Sequence, residues 1–288
     1  MRATASIEFL SLFCLGMNCF EIEPKGVYHQ IKEGNSVVNA AEFTCVAIQH
    51  PHMNAVVPAA GQGTRLGELT DNQPKGLVDV AGRPLLSHAL ETAVEAGAEE
   101  LVIIIGYEAA QIVDQFGDSF DGVAITYVHQ REQLGLGHAV LQAESHINED
   151  FLLVNGDNVF AESVYPAVDA IDEDDADAVV AVEDVSPAVA KTTGVIETES
   201  TGSVTDIVEK PTDPSSTLVT TGCYMLPTDI FAACALLKPS AEGEYQLSEA
   251  VGLLIHAGYD VTTVRLGDRV NVNTPTDVER AAELVRGE

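Results

Sequence analysis

Residues 53–86 read MNAVVPAAGQGTRLGELTDNQPKGLVDVAGRPLL, and this stretch decides the fold. The apolar run Asn54–Pro58 predicts a short strand, which ends in the small-residue sequence AAGQGT. Glycines at 61 and 63 allow consecutive backbone N–H groups to converge on one point, which is how chains bind phosphate. The stretch therefore predicts a strand followed by a phosphate-binding loop.

Two cations follow this loop, Arg65 and Lys75, in a chain with only 14 basic residues. Positive charge concentrated there favours a phosphate ligand. A Rossmann dinucleotide fingerprint would need a third glycine where the chain has Leu66, and a Walker A run is absent from the sequence. A glycine-rich turn without a ligand remains an alternative for the G-x-G pair by itself.

Beyond Met53 the apolar residues alternate between strand and helix patterns. Leu101–Ile105 is a continuous apolar run typical of a parallel strand buried on both faces. Repeated strand–helix–strand units predict an α/β fold with a doubly wound, mostly parallel, Rossmann-like sheet. Strands are predicted near 54–58, 101–105, 124–129, 150–155, 178–183, 194–197, 204–208, 218–226 and 261–265. Helices are predicted at 84–95, 107–116, 137–145, 228–237, 245–256 and 275–285.

Ligands of such sheets bind beyond the carboxyl ends of the strands. Gly61, Gln130 and Asp157 all follow predicted strands, so we expect one shared cleft. Asp157, in the sequence NGDN at 155–158, reads either as a capped turn or as a Mg²⁺ ligand, because hard cations prefer carboxylate oxygens.

The chain carries 45 acidic and 14 basic residues, a net charge of −31. The negative electrostatic field of such a chain opposes binding to nucleic acid or to an anionic membrane. It also destabilises the compact state by self-repulsion, which salt screens. We therefore expect a salt-adapted cytoplasmic protein with an acidic surface and small-molecule partners. The nine-residue run Asp169–Asp177 contains six acids, which we interpret as a solvated acidic turn.

Residues 1–52 differ from the rest of the chain. They hold 5 acidic and 3 basic residues, so the acidic excess is nearly absent, and their apolar segment at 7–20 is too short to span a bilayer. We expect an N-terminal extension outside the core, with biological translation starting at Met53.

The five cysteines, at 14, 19, 45, 223 and 234, show no metal-binding spacing and are expected to be free thiols.

The strings AAGQGTRL, PKGL and GRPLL together resemble the signature of the sugar-1-phosphate nucleotidylyltransferases. The sequence QREQLGLGHA at 130–139 resembles the nucleobase-binding segment of bacterial N-acetylglucosamine-1-phosphate uridylyltransferases. Glu209-Lys210-Pro211 matches the E-K-P of the family. Residues 269–275, RVNVNTP, correspond to a W-x-D-I-G-T-P segment, so Asn271 replaces the second metal-binding Asp. The amino-sugar branch uses an Asn for that contact.

The resemblance implies a domain at 53–288, with a nucleotide-binding half at 53–160 and a sugar-phosphate-binding half at 161–288. It implies transfer of a nucleotidyl group from UTP or dTTP to a sugar 1-phosphate, with Mg²⁺ as the cofactor. The expected catalytic residues are Arg65 and Lys75, and the expected metal ligands are Asp157 and Asn271. The expected nucleotide contacts are Ala59, Ala60, Gly61, Gly63, Thr64, Gln130 and Gly135. The expected sugar-phosphate contacts are Gly194, Glu209, Lys210 and Thr221.

Glucose 1-phosphate is the expected sugar, and N-acetylglucosamine 1-phosphate is the alternative that Asn271 and the segment at 130–139 favour. A non-catalytic sugar-nucleotide-binding homologue is a second alternative, which retention of Arg65, Lys75 and Asp157 opposes. An NAD-binding oxidoreductase would leave Lys75 unexplained. The sequence leaves open whether the protein forms a homo-oligomer.

Overall fold

The computed structural model describes residues 28–33, 36–41, 53–173, 175–199 and 203–287. The chain divides into two compact units, Met1–Pro51 and His52–Glu288, each described by itself. In the first unit, strands β1 (Tyr28–Glu33) and β2 (Ser36–Ala41) pair antiparallel. That residues 1–52 are a dispensable extension stays a prediction.

Cys223 and Cys234 are free and buried, as expected. The other three cysteines and the apolar segment at 7–20 lie outside the described residues. In the described part of the chain, no helix is both long and apolar enough to cross a bilayer.

The second unit contains strands, α-helices and short 3-10 turns in alternation. The strands are β3 (Asn54–Pro58), β4 (Asp79–Val80), β5 (Arg83–Pro84), β6 (Glu100–Ile105), β7 (Ser119–Phe120), β8 (Val123–His129), β9 (Phe151–Val154), β10 (Asn158–Phe160), β11 (Ala178–Asp184), β12 (Gly194–Thr198), β13 (Val204–Glu209), β14 (Leu218–Leu226), β15 (Val261–Arg265) and β16 (Arg269–Asn271). The helices are α1 (Leu85–Glu95), α2 (Ala109–Phe116), α3 (Leu136–Leu141), α4 (Tyr165–Glu173), α5 (Pro187–Ala190), α6 (Asp229–Leu236), α7 (Leu247–Ala257) and α8 (Pro275–Arg286). The 3-10 turns are Thr64–Thr70, Lys75–Leu77 and Glu144–His146.

The centre of the main sheet is parallel, in the order β9, β3, β6, β8. Strand β14 joins β9 antiparallel and carries β12 and β13 beyond it. Strand β11 pairs antiparallel with β14 and parallel with β15. The predicted α/β fold with mostly parallel central strands is confirmed, with antiparallel strands added in the second half of the unit.

Helices cover both faces of this sheet. Val56 and Val102 point into a core shared with α3, α6 and α7, whereas Val57 and Ile103 point into one shared with α1 and α4. All four side chains are fully buried. Because successive strand residues face opposite sides, a strand covered on both faces must be apolar throughout, which is the pattern that the sequence shows.

Hydrogen bonds tie the carboxyl ends of the parallel strands together. The Ala59 N–H donates to Ile104 (2.8 Å), the Gly156 N–H to Pro58 (3.1 Å) and the Gln130 N–H to Ile105 (2.8 Å). The loops after β3, β8 and β9 therefore meet at one edge of the sheet, as predicted.

The interpretation of Asp169–Asp177 as a turn is wrong for its first half, because α4 extends to Glu173. Ala167 and Ala170 are buried against the sheet, and Val168 and Ile171 pack beside them. These apolar residues are three or four positions apart, which places them on one face of the helix. The acidic residues of α4 lie between and after them in the sequence.

Candidate active site

The loop after β3 lies against Lys75. Gly63 has a left-handed backbone (φ +71°), and a Cβ there would lie 2.8 Å from the Lys75 Cβ. Its carbonyl accepts hydrogen bonds from the Leu66 N–H (2.9 Å) and the Thr70 hydroxyl (3.0 Å). Around a Cβ placed on Gly61, by contrast, there is no heavy atom within 4 Å. The turn thus combines a closely packed glycine with one that faces open space.

The rest of this loop is held by its backbone and presents its polar side chains to solvent. The Ala60 carbonyl accepts the Gln133 amide N–H (2.8 Å), which links the loop to the segment after β8. Thr64 and Arg65 begin the following 3-10 turn and are both exposed.

Lys75 joins two parts of the chain that are distant in sequence. Its Nζ donates to Asp157 Oδ2 at 2.7 Å and to Asn273 Oδ1 at 2.8 Å. The Lys75 side chain is 13% exposed and that of Asp157 28% exposed, so both keep some contact with solvent while they are paired. Charge-assisted hydrogen bonds of this length are among the stronger contacts in proteins.

The two expected metal ligands lie at one end of an antiparallel ribbon, Asn271 within it and Asp157 directly before it. Strands β10 and β16 pair Asn158 with Asn271, and the Val272 N–H donates to the Asp157 carbonyl (2.9 Å). Asn271 Oδ1 accepts a hydrogen bond from the Asn273 amide. Within the described residues no group of three or more His, Cys, Asp or Glu could hold a metal. One carboxylate and one amide oxygen fit Mg²⁺, which keeps several waters and takes few protein ligands.

The segment after β8 is packed tightly onto the chain before α7. Gln130 is buried, and its amide nitrogen lies 3.2 Å from the Gly135 carbonyl and 3.0 Å from His138 Nδ1. Gly135 has φ +96°, and a Cβ there would lie 2.8 Å from the Tyr245 carbonyl. The amide nitrogen of Gln130 thus binds its own segment, and His138 lies in α3 as a contact of Gln130.

A cleft of about 160 Å³ opens between the ribbon and strands β12–β14. Four of the expected site residues line it: Gly194, Glu209, Thr221 and Asn271. The Thr221 hydroxyl donates to the Ala181 carbonyl (3.0 Å), so this side chain is already held by the sheet.

Glu209 and Lys210 have different partners although they are adjacent. Glu209 accepts a hydrogen bond from the Ser248 hydroxyl (2.7 Å), and burial raises the pKa of its carboxyl group. Lys210 Nζ donates to Glu242 (2.8 Å). Partial burial opposes the charged form of Lys210, but the hydrogen bond and charge of Glu242 outweigh it and raise the Lys210 pKa. The hydrogen bond from Lys210 lowers the pKa of Glu242, and the charge of Arg65 adds to this effect.

The structure therefore assembles two groups of predicted residues. One consists of the loop, Lys75, Asp157 and Asn271; the other consists of Gly194, Glu209 and Thr221, and Asn271 belongs to both. Lys210 and Arg65 do not line the cleft, and both influence the exposed carboxylate Glu242. The arrangement places the Lys75 cation beside a carboxylate and near an amide oxygen, groups of the kind that hard metals bind, and it places a second carboxylate at a neighbouring polar cavity.

Sequence reasoning did not identify several residues at the site. Asn155, Ser248 and Arg269 line the cleft, Asn273 contacts Lys75, and Glu242 contacts Lys210. Asn155, Asn273 and Arg269 lie within the motifs NGDN and RVNVNTP, in which the predicted metal ligands Asp157 and Asn271 are the residues with a recognisable pattern. Ser248 and Glu242 carry no local signal, because their roles arise from contacts with residues more than 30 positions away.

Sequence and structural similarity link the chain to one family of known proteins. A family model described as nucleotidyl transferase matches residues 54–269. The chain is 45% identical over 237 residues to the UTP–glucose-1-phosphate uridylyltransferase AglF of Haloferax volcanii, covering 82% of this chain and 98% of that protein. It is 36% identical to a glucose-1-phosphate thymidylyltransferase of Streptomyces griseus, covering 81% of this chain and 66% of that protein. A UDP-glucose pyrophosphorylase solved with UDP-glucose superposes with a TM-score of 0.74 at 27% identity, covering 82% of this chain and 98% of the other.

Proposed function

Because the chain belongs to the nucleotidyl transferase family, we propose that it transfers the nucleotidyl group of UTP or dTTP to glucose 1-phosphate, forming an NDP-glucose and pyrophosphate. The observation that carries this proposal is the contact of Lys75 with Asp157 beside a polar cleft that contains Glu209. A phosphate-binding loop next to a sugar-sized polar cavity suits two substrates that react through their phosphates.

The choice of glucose and of a pyrimidine nucleotide rests on the relatives. AglF is described as acting on UTP and glucose 1-phosphate, and the Streptomyces griseus protein as a glucose-1-phosphate thymidylyltransferase. The chain covers 98% of AglF, so the whole catalytic unit of that protein has a counterpart here.

In the proposed reaction a phosphate oxygen of the sugar 1-phosphate attacks the α-phosphorus of the nucleotide. One P–O bond forms, the bond to the β-phosphate breaks, and pyrophosphate leaves with both electrons of that bond. No covalent enzyme intermediate is needed, so catalysis depends on positioning and on neutralising charge. The N–H groups from Gly61 to Thr64 bind the nucleotide phosphates, and Arg65 and Lys75 offset the charge that develops on the departing pyrophosphate.

On the sugar side, Glu209 accepts hydrogen bonds from sugar hydroxyls, with Gly194 and Thr221 forming the adjacent wall. Lys210 binds the sugar phosphate once it leaves Glu242. Asp157 and Asn271 would hold Mg²⁺, which supplies further charge neutralisation at the reacting phosphates. Gln130 and Gly135 are the proposed contacts of the nucleobase, and the Gln130 amide nitrogen must first release the Gly135 carbonyl and His138 before it can donate to a base.

N-acetylglucosamine 1-phosphate is the second candidate sugar. Asn271 in place of a second Asp favours it, and so does 34% identity over 72% of the chain to bifunctional GlmU proteins of Methanococcus maripaludis, of which the chain covers 48%. A matrix of UTP and dTTP against both sugar 1-phosphates, assayed by pyrophosphate release, separates the candidates. We expect the highest kcat/KM with UTP and glucose 1-phosphate. Preference for the amino sugar would overturn the glucose assignment, and no release from any pair would overturn the proposed reaction.

A further inference from the structure

Arg269 stands at the start of β16, and its side chain is only 7% exposed. Its Nη1 donates to Asn158 Oδ1 at 2.8 Å, and its Nη2 donates to the carboxylate of Glu183 on β11. These two contacts fix the plane of the guanidinium group and pair its charge. Each contact uses one N–H of an Nη, and Nε is the guanidinium nitrogen that takes part in neither.

Two buried side-chain atoms in the described part of the chain have no hydrogen-bond partner, namely Arg269 Nε and Asn155 Oδ1. Leaving a buried polar atom unpaired is costly, so native structures rarely do so without a reason. One atom is a donor and the other an acceptor, and both residues line the same cleft. The two unpaired atoms are thus complementary as donor and acceptor, and they belong to side chains that line one cavity.

Gly222 makes room for this arrangement. Its backbone has φ +78°, and a Cβ there would lie 2.5 Å from the Asn155 amide nitrogen and 2.7 Å from that of Asn158. The Asn158 amide in turn donates to the Thr221 carbonyl (2.7 Å). Asn155 and Arg269 are therefore held by a rigid, fully packed support, as a recognition site requires.

The charges around the cleft indicate which chemical group would satisfy these atoms. The guanidinium charge is paired with Glu183, and Glu209 adds a further carboxylate to the lining. A carboxylate or a second phosphate on the ligand would be repelled by this negative charge. The cleft lining offers it no unpaired cation, because Arg269 is already paired with Glu183. A sugar hydroxyl is neutral and is both an acceptor and a donor, so it complements Arg269 Nε and Asn155 Oδ1.

We propose that Arg269 and Asn155 bind the ring hydroxyls of a hexose 1-phosphate whose ring carries no charged group, with Arg269 Nε donating to a hydroxyl oxygen and Asn155 Oδ1 accepting a hydrogen bond from a hydroxyl. This proposal rests on the proposed function, which supplies the sugar phosphate. It makes Arg269 and Asn155 residues that determine sugar specificity, in addition to Glu209.

The test compares kcat/KM for glucose 1-phosphate with that for its 2-, 3-, 4- and 6-deoxy analogues at saturating UTP. Arg269→Lys keeps a cation for Glu183 and removes the Nε–H. We expect it to lower kcat/KM for glucose 1-phosphate about 10- to 100-fold, with the KM for UTP unchanged. The loss should shrink to less than about threefold for the one analogue that lacks the hydroxyl bound by Arg269.

Asn155→Leu is an independent second variant, because it removes the acceptor and leaves the Arg269–Glu183 pair intact. It should show the same selective loss. Arg265→Lys is the matched control: Arg265 pairs with Asp184, the residue after Glu183, but is 62% exposed and does not line the cleft. It should behave as the wild type.

An equal loss for glucose 1-phosphate and all four analogues in both variants would assign these residues a structural role and overturn the proposal. Unchanged kcat/KM in both variants would also overturn it. If the wild-type protein prefers another sugar 1-phosphate, the choice of glucose in the proposed function fails. The deoxy analogues of the preferred sugar then decide the present proposal in the same way.

Discussion

The Arg65 side chain is exposed and lies outside the cleft lining, yet its charge acts on Glu242. Arg65→Ala should therefore leave the fold intact while removing a cation from the departing pyrophosphate. We expect kcat to fall about 100- to 1,000-fold, as for the loss of one preorganised electrostatic contact. Arg280→Ala, on the exposed surface of α8, is the control. Pyrophosphate release by Arg65→Ala at near the wild-type rate would show that this residue has no catalytic role.

Glu209 is a carboxylate whose pKa is raised, first of all by burial. Its ionised form is thus less stable in the folded than in the unfolded protein, and this cost disappears as the pH falls through the folded-state pKa. Glu209→Gln retains an acceptor for Ser248 and removes the charge. The variant should equal or exceed the wild type in free energy of unfolding at pH 7, with the difference narrowing in acid.

The same Glu209→Gln variant should raise the KM for the sugar 1-phosphate at pH 7, because a neutral amide accepts hydrogen bonds less strongly than a carboxylate. Urea unfolding measures the change in stability, and steady-state kinetics on the same preparation measure the change in KM. A variant that is less stable at pH 7, with the deficit growing as the pH rises, would contradict this view of Glu209.

Short sequence motifs predicted charged site residues one at a time, and the structure brings some of them together but not Arg65 or Lys210. Lys75 and Asp157 were predicted separately, and the structure joins them at 2.7 Å. Asn273 and Arg269 were visible only as departures from a family pattern. Their roles depend on the pairing of β16 with β10, which no local sequence signal specifies.

The loop between β3 and the first 3-10 turn contains two glycines with different surroundings. Gly63→Ala would place a methyl group 2.8 Å from the Lys75 Cβ in a left-handed backbone. We expect about 1–2 kcal/mol of destabilisation from the backbone strain, and a lower kcat because Lys75 is displaced. Thermal unfolding and steady-state kinetics measure the two effects.

Gly61→Ala is the matched control, because nothing lies within 4 Å of its Cβ. Its free energy of unfolding should stay within about 0.5 kcal/mol of the wild-type value. If nucleotide phosphates occupy that open space, the KM for UTP should rise in this variant. Equal destabilisation by both substitutions would refute the packing difference inferred for the two glycines.

Most elements of the second unit were predicted from apolar periodicity, because strands covered on both faces and amphipathic helices both leave strong patterns. The short ribbon of β10 and β16 was not predicted, since three-residue strands carry little periodicity. Helix α4 was missed because its acids obscured apolar residues at helical spacing. The elements that the sequence did not reveal are thus short, or are dominated by charge.

The net charge of −31 affects the molecule as a whole. Raising the ionic strength from 0.1 M to 1 M shortens the Debye length from about 10 Å to about 3 Å and screens self-repulsion. We expect the free energy of unfolding to rise by at least about 1 kcal/mol between 0.1 M and 2 M KCl, or about 2–4 °C in Tm. A flat or falling stability would contradict the proposed salt adaptation.

A variant with three exposed acids neutralised serves as the control for general salt effects. Glu95→Gln, Asp114→Asn and Glu279→Gln lie on helices α1, α2 and α8. Combined, they should reduce the dependence of stability on KCl without changing the fold. If the free energy of unfolding depends on KCl equally in the wild type and the variant, the rise with salt comes from burial of apolar surface rather than from screening of charge.

The structure brings Lys75 and Asp157 together with Asn271 and Asn273, which lie near the end of the second unit, and Asn271 also lines the cleft that contains Glu209. The most direct test incubates the wild-type protein with UTP, glucose 1-phosphate and Mg²⁺ and measures UDP-glucose and pyrophosphate together, with Asp157→Ala in parallel. We predict that the two products appear in a one-to-one ratio and that Asp157→Ala is about 100- to 1,000-fold slower. Pyrophosphate without UDP-glucose, or an Asp157→Ala variant as fast as the wild type, would contradict the account.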